Sequence, residues 1–428
     1  MTTIHHDPLA GTKYGRLIVN GRSDPRPGQV MPEASTVTSL RQRNRSLLLK
    51  QIILRQETTR AELAHLTGLS AASAANIVAE LIDEGLVEER GNRSSQGGRP
   101  ITVVGPRADR AITIGIDVGE RGVAAEVFDL SMTRVDREFR GGQIEESPDL
   151  IAADIRAAID ALRDRNGDRW GDLIGIGLGL PGIVETDLVG TQTLYAQSLG
   201  WPALDVVDLC SAVDVPVFAE NGAKLQARVE HWFGNARDCD HALVAMLGRG
   251  VGLGIITAGE VATGSRSAAG EWGHTTLMLD GEPCRCGNRG CVEAYLGADA
   301  IVHRWRDTGA QPSGSGWTAL TSLIEAADAG DPAAADLTAH VIDELGAALG
   351  SLVNLFNPER VLIGGWVGGR LIEAYRDELE AAIVAHALPR PGSQFTLHPT
   401  HFAGDAVAAG AGLLPLEALI VSGWSTAG

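Results

Sequence analysis

Gly270–Glu293 reads GEWGHTTLMLDGEPCRCGNRGCVE, and its last ten residues hold three of the five cysteines in a chain of 428 residues. Cys284, Cys286 and Cys291 form a C-x-C-x4-C pattern, and three thiolates alone cannot close a tetrahedral metal site. The nearest upstream candidate for a fourth ligand is His274. Cys3His is a structural zinc set, and Gly287 and Gly290 let the backbone turn tightly enough for the sulfurs to converge. Four protein ligands leave no open position for an activated water, so metal-assisted hydrolysis is disfavoured. The alternative is three reduced, unmetallated thiols. An odd cysteine total, with no secretory signal in MTTIHHDPLAGTKYG, counts against disulfides and predicts a cytoplasmic protein. Cys210 and Cys239 stand alone and read as ordinary buried or semi-buried thiols. No apolar run is long enough to span a bilayer; Leu173–Val184 comes nearest and is too short.

A metal at this loop would fix its neighbours. Glu271 lies three residues before His274, and Glu293 two after Cys291. Two anchored carboxylates and an oriented imidazole suit a cluster of sugar hydroxyls. The alternative for both glutamates is a solvated loop charge.

Working outward, the charge is uneven. The chain carries −18 in total, yet residues 36–107 hold ten Lys/Arg against seven Asp/Glu. A small basic segment thus rides on an acidic body from which like charge repels DNA. Residues 1–35 lack periodicity and read as a mobile, disordered tail. In the basic segment, LRQRNRSLLLKQIILRQ places Leu40, Leu47, Leu48, Ile52 and Ile53 at helical spacing. TRAELAHLTGLS continues with Leu63 and Leu66 and stops at Gly68. Ser70 caps a third helix with a stripe of Ala74, Ile77, Val78, Leu81 and Ile82. Helix, glycine turn, helix is the unit that seats a recognition helix in the major groove. LVEERGNRSSQGGRPITVV then reads as strand, flexible loop, strand: a wing. Arg90, Arg93 and Arg99 ring that loop, suited to phosphates and a narrow minor groove. Ser73 and Asn76 fall opposite the buried stripe, where asparagine can pair with adenine. An ordinary three-helix packing unit is the alternative.

From Ala111 the pattern changes to an α/β body. AITIGIDVG, GVAAEVFDL and DLIGIGLGLPGIV are buried strands with glycine turns. HALVAMLG, GLGIITAG and RVLIGG repeat the design after helices near Pro148–Asp164 and Gly222–Trp232, with another at Asp331–Phe356. Two similar lobes with a cleft between them are predicted.

These residues together resemble the ROK family (repressors, open reading frames and sugar kinases), in its winged-helix regulator branch, over about residues 39–420. AELAHLTGLS with GGRP resembles the DNA-binding head. GLPGIV, GEWGH, CRCGNRGCVE, NLFNPERVLIGG and AGDAVAAGAG resemble successive body motifs. The resemblance implies an actin-like ATPase (ribonuclease H-like) body with a structural Zn2+ on His274, Cys284, Cys286 and Cys291. It also implies a sugar in the interlobe cleft, contacted at Glu271, His274 and Glu293.

Three departures from the family pattern bear on activity. Kinases of the family place a catalytic aspartate after a Glu-Asn pair; here VFAENGAK puts Gly222 there, and glycine cannot act as a base. The first phosphate loop should read Asp-x-Gly-Gly-Thr, but DVGERG sets Glu120 where nucleotide phosphates would lie. The second loop, LGRGVG, carries Arg249 where threonine is common, and arginine could pair with phosphate. QSLGWPALDV has Ser198 where a sugar-binding asparagine is usual.

The expected protein is thus a non-enzymatic, sugar-responsive regulator, a repressor of carbohydrate genes. Residues 36–107 form a winged helix-turn-helix, and 108–428 the sugar-binding body. Lobe 1 spans about 108–228 plus a C-terminal helix at 404–422, and lobe 2 about 229–403. Ser198, Asn221, Glu271, His274 and Glu293 hold the sugar. Double-stranded operator DNA meets Ser73, Asn76, Arg90, Arg93 and Arg99, and the resemblance implies a homodimer or homotetramer. The rival readings are an active sugar kinase with an appended head, and a silent sugar-binding protein whose head makes protein contacts.

Overall fold

In the computed structural model the head begins with α1 (Val37–Arg55), whose Leu48, Leu49, Ile52 and Ile53 are fully buried. Leu47 stays partly exposed, so the buried stripe lies one residue further round the helix than the sequence pattern predicts. The structure describes residues 37–94, 100–141, 147–187, 189–210, 213–312, 314, 316–402, 404 and 406–422, with side chains from Ser39 onward. The account that follows concerns Gln42–Gly428, one compact unit.

Strand β1 (Thr58–Thr59) leads into α2 (Arg60–Thr67) through a capping box. The Thr59 hydroxyl accepts from the Glu62 amide at 3.2 Å, and the Glu62 carboxylate accepts from the Thr59 amide at 2.8 Å. Gly68 ends α2 at φ +69°, and Ser70 caps α3 (Ala71–Asp83), as the sequence predicts. Ala74, Ile77, Val78 and Leu81 are buried, Ile82 partly so, and Leu66 is exposed rather than packed. Strands β2 (Val87–Arg93) and β3 (Ile101–Pro106) form the wing in a three-stranded sheet of order β1-β3-β2.

The body contains two five-stranded sheets. The first, β11-β7-β4-β5-β6, joins β4 (Ile112–Gly119), β5 (Gly122–Asp129), β6 (Arg134–Gly141), β7 (Leu173–Leu180) and β11 (Val217–Asn221). Helix α4 (Pro148–Arg165) packs on β5 and β6. A small antiparallel sheet of β8 (Ile183–Thr186), β9 (Gln192–Tyr195) and β10 (Leu204–Asp205), followed by α5 (Val206–Leu209), extends from β7. Helix α6 (Gly222–Phe233) then leads to the second sheet, β14-β13-β12-β15-β16. Its strands are β12 (Ala242–Leu247), β13 (Val251–Thr257), β14 (Glu260–Val261), β15 (Arg360–Gly364) and β16 (Thr396–Pro399). Between β14 and β15 come α7 (Glu293–Leu296), α8 (Ala298–Asp307), α9 (Trp317–Asp328) and α10 (Pro332–Phe356). After β15 follow α11 (Gly365–Ala374), α12 (Arg376–His386) and α13 (Pro389–Gly392), and α14 (Ala406–Ser422) closes the chain.

The glycines of β4 and β7 exist for close approach. A Cβ at Gly115 would overlap the Ala408 carbonyl of α14, and one at Gly177 the Ala411 carbonyl. Small residues on both sides let α14 lie directly on the first sheet. The other end of α14 carries the head. Leu413, Leu416 and Ile420 share one core with Leu48, Ile52 and Leu81 of the head, with Phe128 of the first sheet and with Leu130 in the turn after β5. Ser46 donates to the Ile420 carbonyl at 2.6 Å and Gln42 to that of Val421 at 3.1 Å.

Candidate functional site

The Cys/His loop folds into a tight double turn between the second sheet and α7. The Leu277 amide donates to the Gly290 carbonyl (2.7 Å), Cys284 to Asn288 (2.8 Å) and Val292 to Thr275 (3.0 Å). Gly287 and Gly290 take φ of +93° and +74°, and a Cβ on Gly290 would overlap the Met278 carbonyl. The ligand atoms of His274, Cys284, Cys286 and Cys291 all lie within 4.8 Å of one another. Cys286 and Cys291 sulfurs are 3.7 Å apart, and Cys284 Sγ is 3.7 Å from His274 Nδ1. Burial, and then the neighbouring sulfurs, push the Cys291 thiol up to about 12. It becomes a thiolate at neutral pH only against a cation, which this donor set is built to hold. Cys210 and Cys239 are buried free thiols away from this cluster.

Ser198, Asn221, Glu271, His274 and Glu293 all line one cleft of about 1040 Å3. Glu293 opens α7 and is buried; its carboxylate accepts from the Val251 amide at 3.0 Å and pairs with Arg285 at 3.3 Å. Glu271 is partly buried, which raises its pKa, while His274 and Lys224 pull it back. Asn221 caps α6: its side-chain oxygen accepts from the Ala223 amide at 2.9 Å and its nitrogen donates to the Gly182 carbonyl at 2.9 Å. Its amide is therefore already engaged in holding the two chain segments together. Ser198 sits on the short turn Gln197–Leu199 after β9.

Two groups here escaped the sequence reading. Lys224 is buried, 3.2 Å from Glu220, and its ammonium donates to the Ser267 hydroxyl at 3.0 Å and also to the Ser267 carbonyl. This pair ties α6 to the loop that delivers Glu271. The i,i+4 spacing of Glu220 and Lys224 was visible, but burial of a lysine is not written in sequence. Arg285, between two of the cysteines, pairs with Glu293 and could have been noticed as one of the two cations inside the motif, with Arg289.

Next to Asn221, Gly222 begins α6 with no side chain; a Cβ there would meet only the Val407 methyls at 3.7 Å. Glu120, in the β4–β5 turn of the first sheet, reaches across to the second. Its carboxylate accepts from the Arg249 amide and, at 3.1 Å, from the Trp366 indole nitrogen.

On the head, Ser73 and Asn76 are exposed on α3, opposite its buried stripe. Arg93 is exposed on β2 and pairs with Glu62 at 3.2 Å. Arg90 points elsewhere: its guanidinium donates to the Pro106 and Gln56 carbonyls at 2.6 and 3.3 Å, so it braces the base of the wing. Arg99 lies outside the described residues, as does the tail 1–35.

Residues 113–417 match the ROK family. The chain belongs to the ROK family. Among its ROK relatives, a xylose repressor of Caldicellulosiruptor bescii is 29% identical over 336 residues, covering 76% of this chain and 84% of that one. A glucokinase of Halalkalibacterium halodurans is 31% identical over 316 residues, 70% of this chain and 94% of the kinase. A crystal structure of a ROK family transcriptional regulator, a homolog of the E. coli MLC protein, superposes with a TM-score of 0.73 at 24% identity. It covers 90% of this chain and 100% of that one, which establishes the shared ROK fold. No helix among the described residues is long and apolar enough to cross a membrane.

Proposed function

We propose that this ROK chain is a sugar-responsive DNA-binding transcriptional repressor of carbohydrate genes and that its kinase-like cleft senses without phosphorylating. The observation that carries the reading is what stands at the kinase's catalytic position and in its phosphate loops. Gly222 offers no base, and Glu120 fills the Arg249 amide that a phosphate would need. The candidate sugar contacts are kept: Glu271, His274 and Glu293 line the cleft together with Ser198 and Asn221. The xylose repressor among the relatives supports the same class.

The donor set fits a structural zinc, which His274, Cys284, Cys286 and Cys291 would hold. The four donor atoms lie within 4.8 Å of one another, close enough for one ion to meet all of them. With Nδ1 of His274 among the sulfurs, Nε2 is left for a sugar hydroxyl. Zinc here fixes the positions of Glu271, His274 and Glu293 and performs no chemistry. Residues 36–107 are the winged helix-turn-helix and 108–428 the sensor, split at about 228 and 404 between its lobes. Ser73 and Asn76 face the major groove, and Arg93 and Arg99 the wing's minor-groove contacts. A homodimer or homotetramer presents two heads to a two-fold operator.

Footprinting on the region upstream of its own operon, with and without a panel of sugars, tests this. Protection that a sugar relieves or strengthens is expected; an unprotected region sinks the reading. A coupled ATP assay on the same sugars separates the kinase alternative, which requires turnover.

A further inference from the structure

Beyond Glu120 the cleft presents an aromatic wall. Trp317 opens α9 and Trp366 is the second residue of α11; their rings lie 6.2 Å apart, tilted by 50°. Trp317 is 51% exposed although it lines the cavity. The Arg370 guanidinium covers one side of it, 5.5 Å from the ring centre, and is itself held by Glu373 at 3.1 Å. A large aromatic surface left open inside a concave site is costly unless something covers it.

This wall adjoins the sugar end directly. Gly248 to Val251 form one tight turn, closed by the Gly248 amide on the Gly250 carbonyl at 2.9 Å. On one side of the turn, a Cβ at Gly248 would lie 3.2 Å from Trp366 Nε1. On the other side, the Val251 amide holds Glu293. The sugar-contacting carboxylate and the indole pair therefore stand on either side of a single turn, within reach of one ligand. The whole cleft, about 1040 Å3, is at the top of the range for small-molecule sites and far larger than one pyranose.

We propose that the effector is a disaccharide or glycoside, whose first unit meets Glu271, His274 and Glu293 and whose second stacks on Trp317 and Trp366. This rests on the sugar-sensing reading above and narrows it. The C–H hydrogens of a pyranose face carry partial positive charge and meet the negative face of an indole. Its hydroxyls are neutral donors that Glu120 and Glu373 can accept. A nucleotide could also stack its base here, and Glu120 at the turn opposes a phosphate beside it. The Arg249 amide that would bind a phosphate is already taken.

The test is titration calorimetry on the full chain with glucose, cellobiose and maltose, xylose and xylobiose, N-acetylglucosamine and chitobiose, and AMPPNP. A disaccharide is expected to bind about tenfold tighter than its own monosaccharide, and Trp317→Ala to bring that ratio to about one. Trp317→Phe, which keeps a ring, restores part of it and separates stacking from misfolding. Equal affinities for monosaccharide and disaccharide overturn the second subsite while leaving the sensor intact. AMPPNP binding that Trp317→Ala weakens assigns the wall to a nucleobase and overturns it as well. Silence toward every sugar sinks the sensor reading together with this one.

Discussion

Removing Glu120 should loosen the cleft. Its carboxylate bridges the β4–β5 turn and the second sheet's side, accepting from the Arg249 amide and the Trp366 indole. Hydrogen bonds to a charged group contribute about 1.5–3 kcal/mol when shielded. Glu120 is exposed, so solvent screening brings each to about 0.5–1 kcal/mol. Two of them bias the bridged arrangement by about 1–2 kcal/mol, a factor of about 5–30 in its population ratio. In Glu120→Ala the sugar Kd should rise toward that factor, which is a ceiling, because a state already dominant in the parent loses affinity only as its fraction falls. Glu120→Gln keeps one acceptor oxygen and so one of the two bonds, without the charge, and should lie between. Calorimetry gives the sugar Kd, and a gel-shift series with and without sugar gives the operator response. If Glu120→Ala leaves both within about twofold of the parent, the bridge carries no lobe equilibrium and the reasoning fails.

Metal analysis should find one zinc per chain, and Cys286→Ser or chelation should lower the melting temperature and abolish sugar binding while the thiols become titratable. Because the Cys291 thiol is pushed up to about 12, metal uptake should release protons and weaken steeply as pH falls, measured by competition with a chromophoric chelator. Asn76→Ala should cost about 1–3 kcal/mol at the operator and little on random DNA, whereas Arg93→Ala should weaken both and lower the salt slope by about one; a footprint indifferent to either sinks the head assignment. Gly222→Asp should fold, since its Cβ meets only ordinary contacts, and should consume no ATP while Glu120 holds the Arg249 amide. Turnover by that single variant would refute the role given to Glu120.

Much of this was legible in the residues, for identifiable reasons. Period and punctuation located the head: Ser70 and Gly68 act within one turn of themselves, so capping is local information. The metal cluster was legible because three ligands lie within eight residues and the glycines between them admit only tight turns. What stayed hidden depends on partners far along the chain. Leu47 and Leu49 are equally apolar, and which one is buried depends on how the head meets α14, some 370 residues away. Arg90 reads as a phosphate ligand until Pro106 and Gln56 present their carbonyls to it. Lys224 reads as a surface lysine until Ser267 closes over it. The Trp317–Trp366 pair, 49 residues apart, has no signature in either local sequence.

How a sugar reaches the head follows from where the rigid joints lie. Asn221 stands at the sugar end of α6, and further along that helix Arg228 and Trp232 both bond Glu417 of α14, the latter at 3.0 Å. The same α14 offers its last carbonyls to Ser46 and Gln42 and shares a core with Leu48 and Ile52. First sheet, α14 and head therefore move as one packed body, since an interior at crystal density does not deform continuously, and α6 lies between α14 and the second sheet. Glu271, His274 and Glu293 belong to the other side of the cleft, joined to this body by α6 and bridged by Glu120. A sugar drawing the two sides together thus reorients the second sheet relative to a head that keeps its place on the first. Within one chain that motion leaves the DNA-facing surface unchanged. It reaches the operator only if partner chains contact each other through the second-sheet side, so that its rotation resets the distance between two heads. Sugar sensing and oligomerisation are then parts of one device, and the coupling, of about 1–3 kcal/mol as such linkages run, belongs to the assembly and not to the single chain.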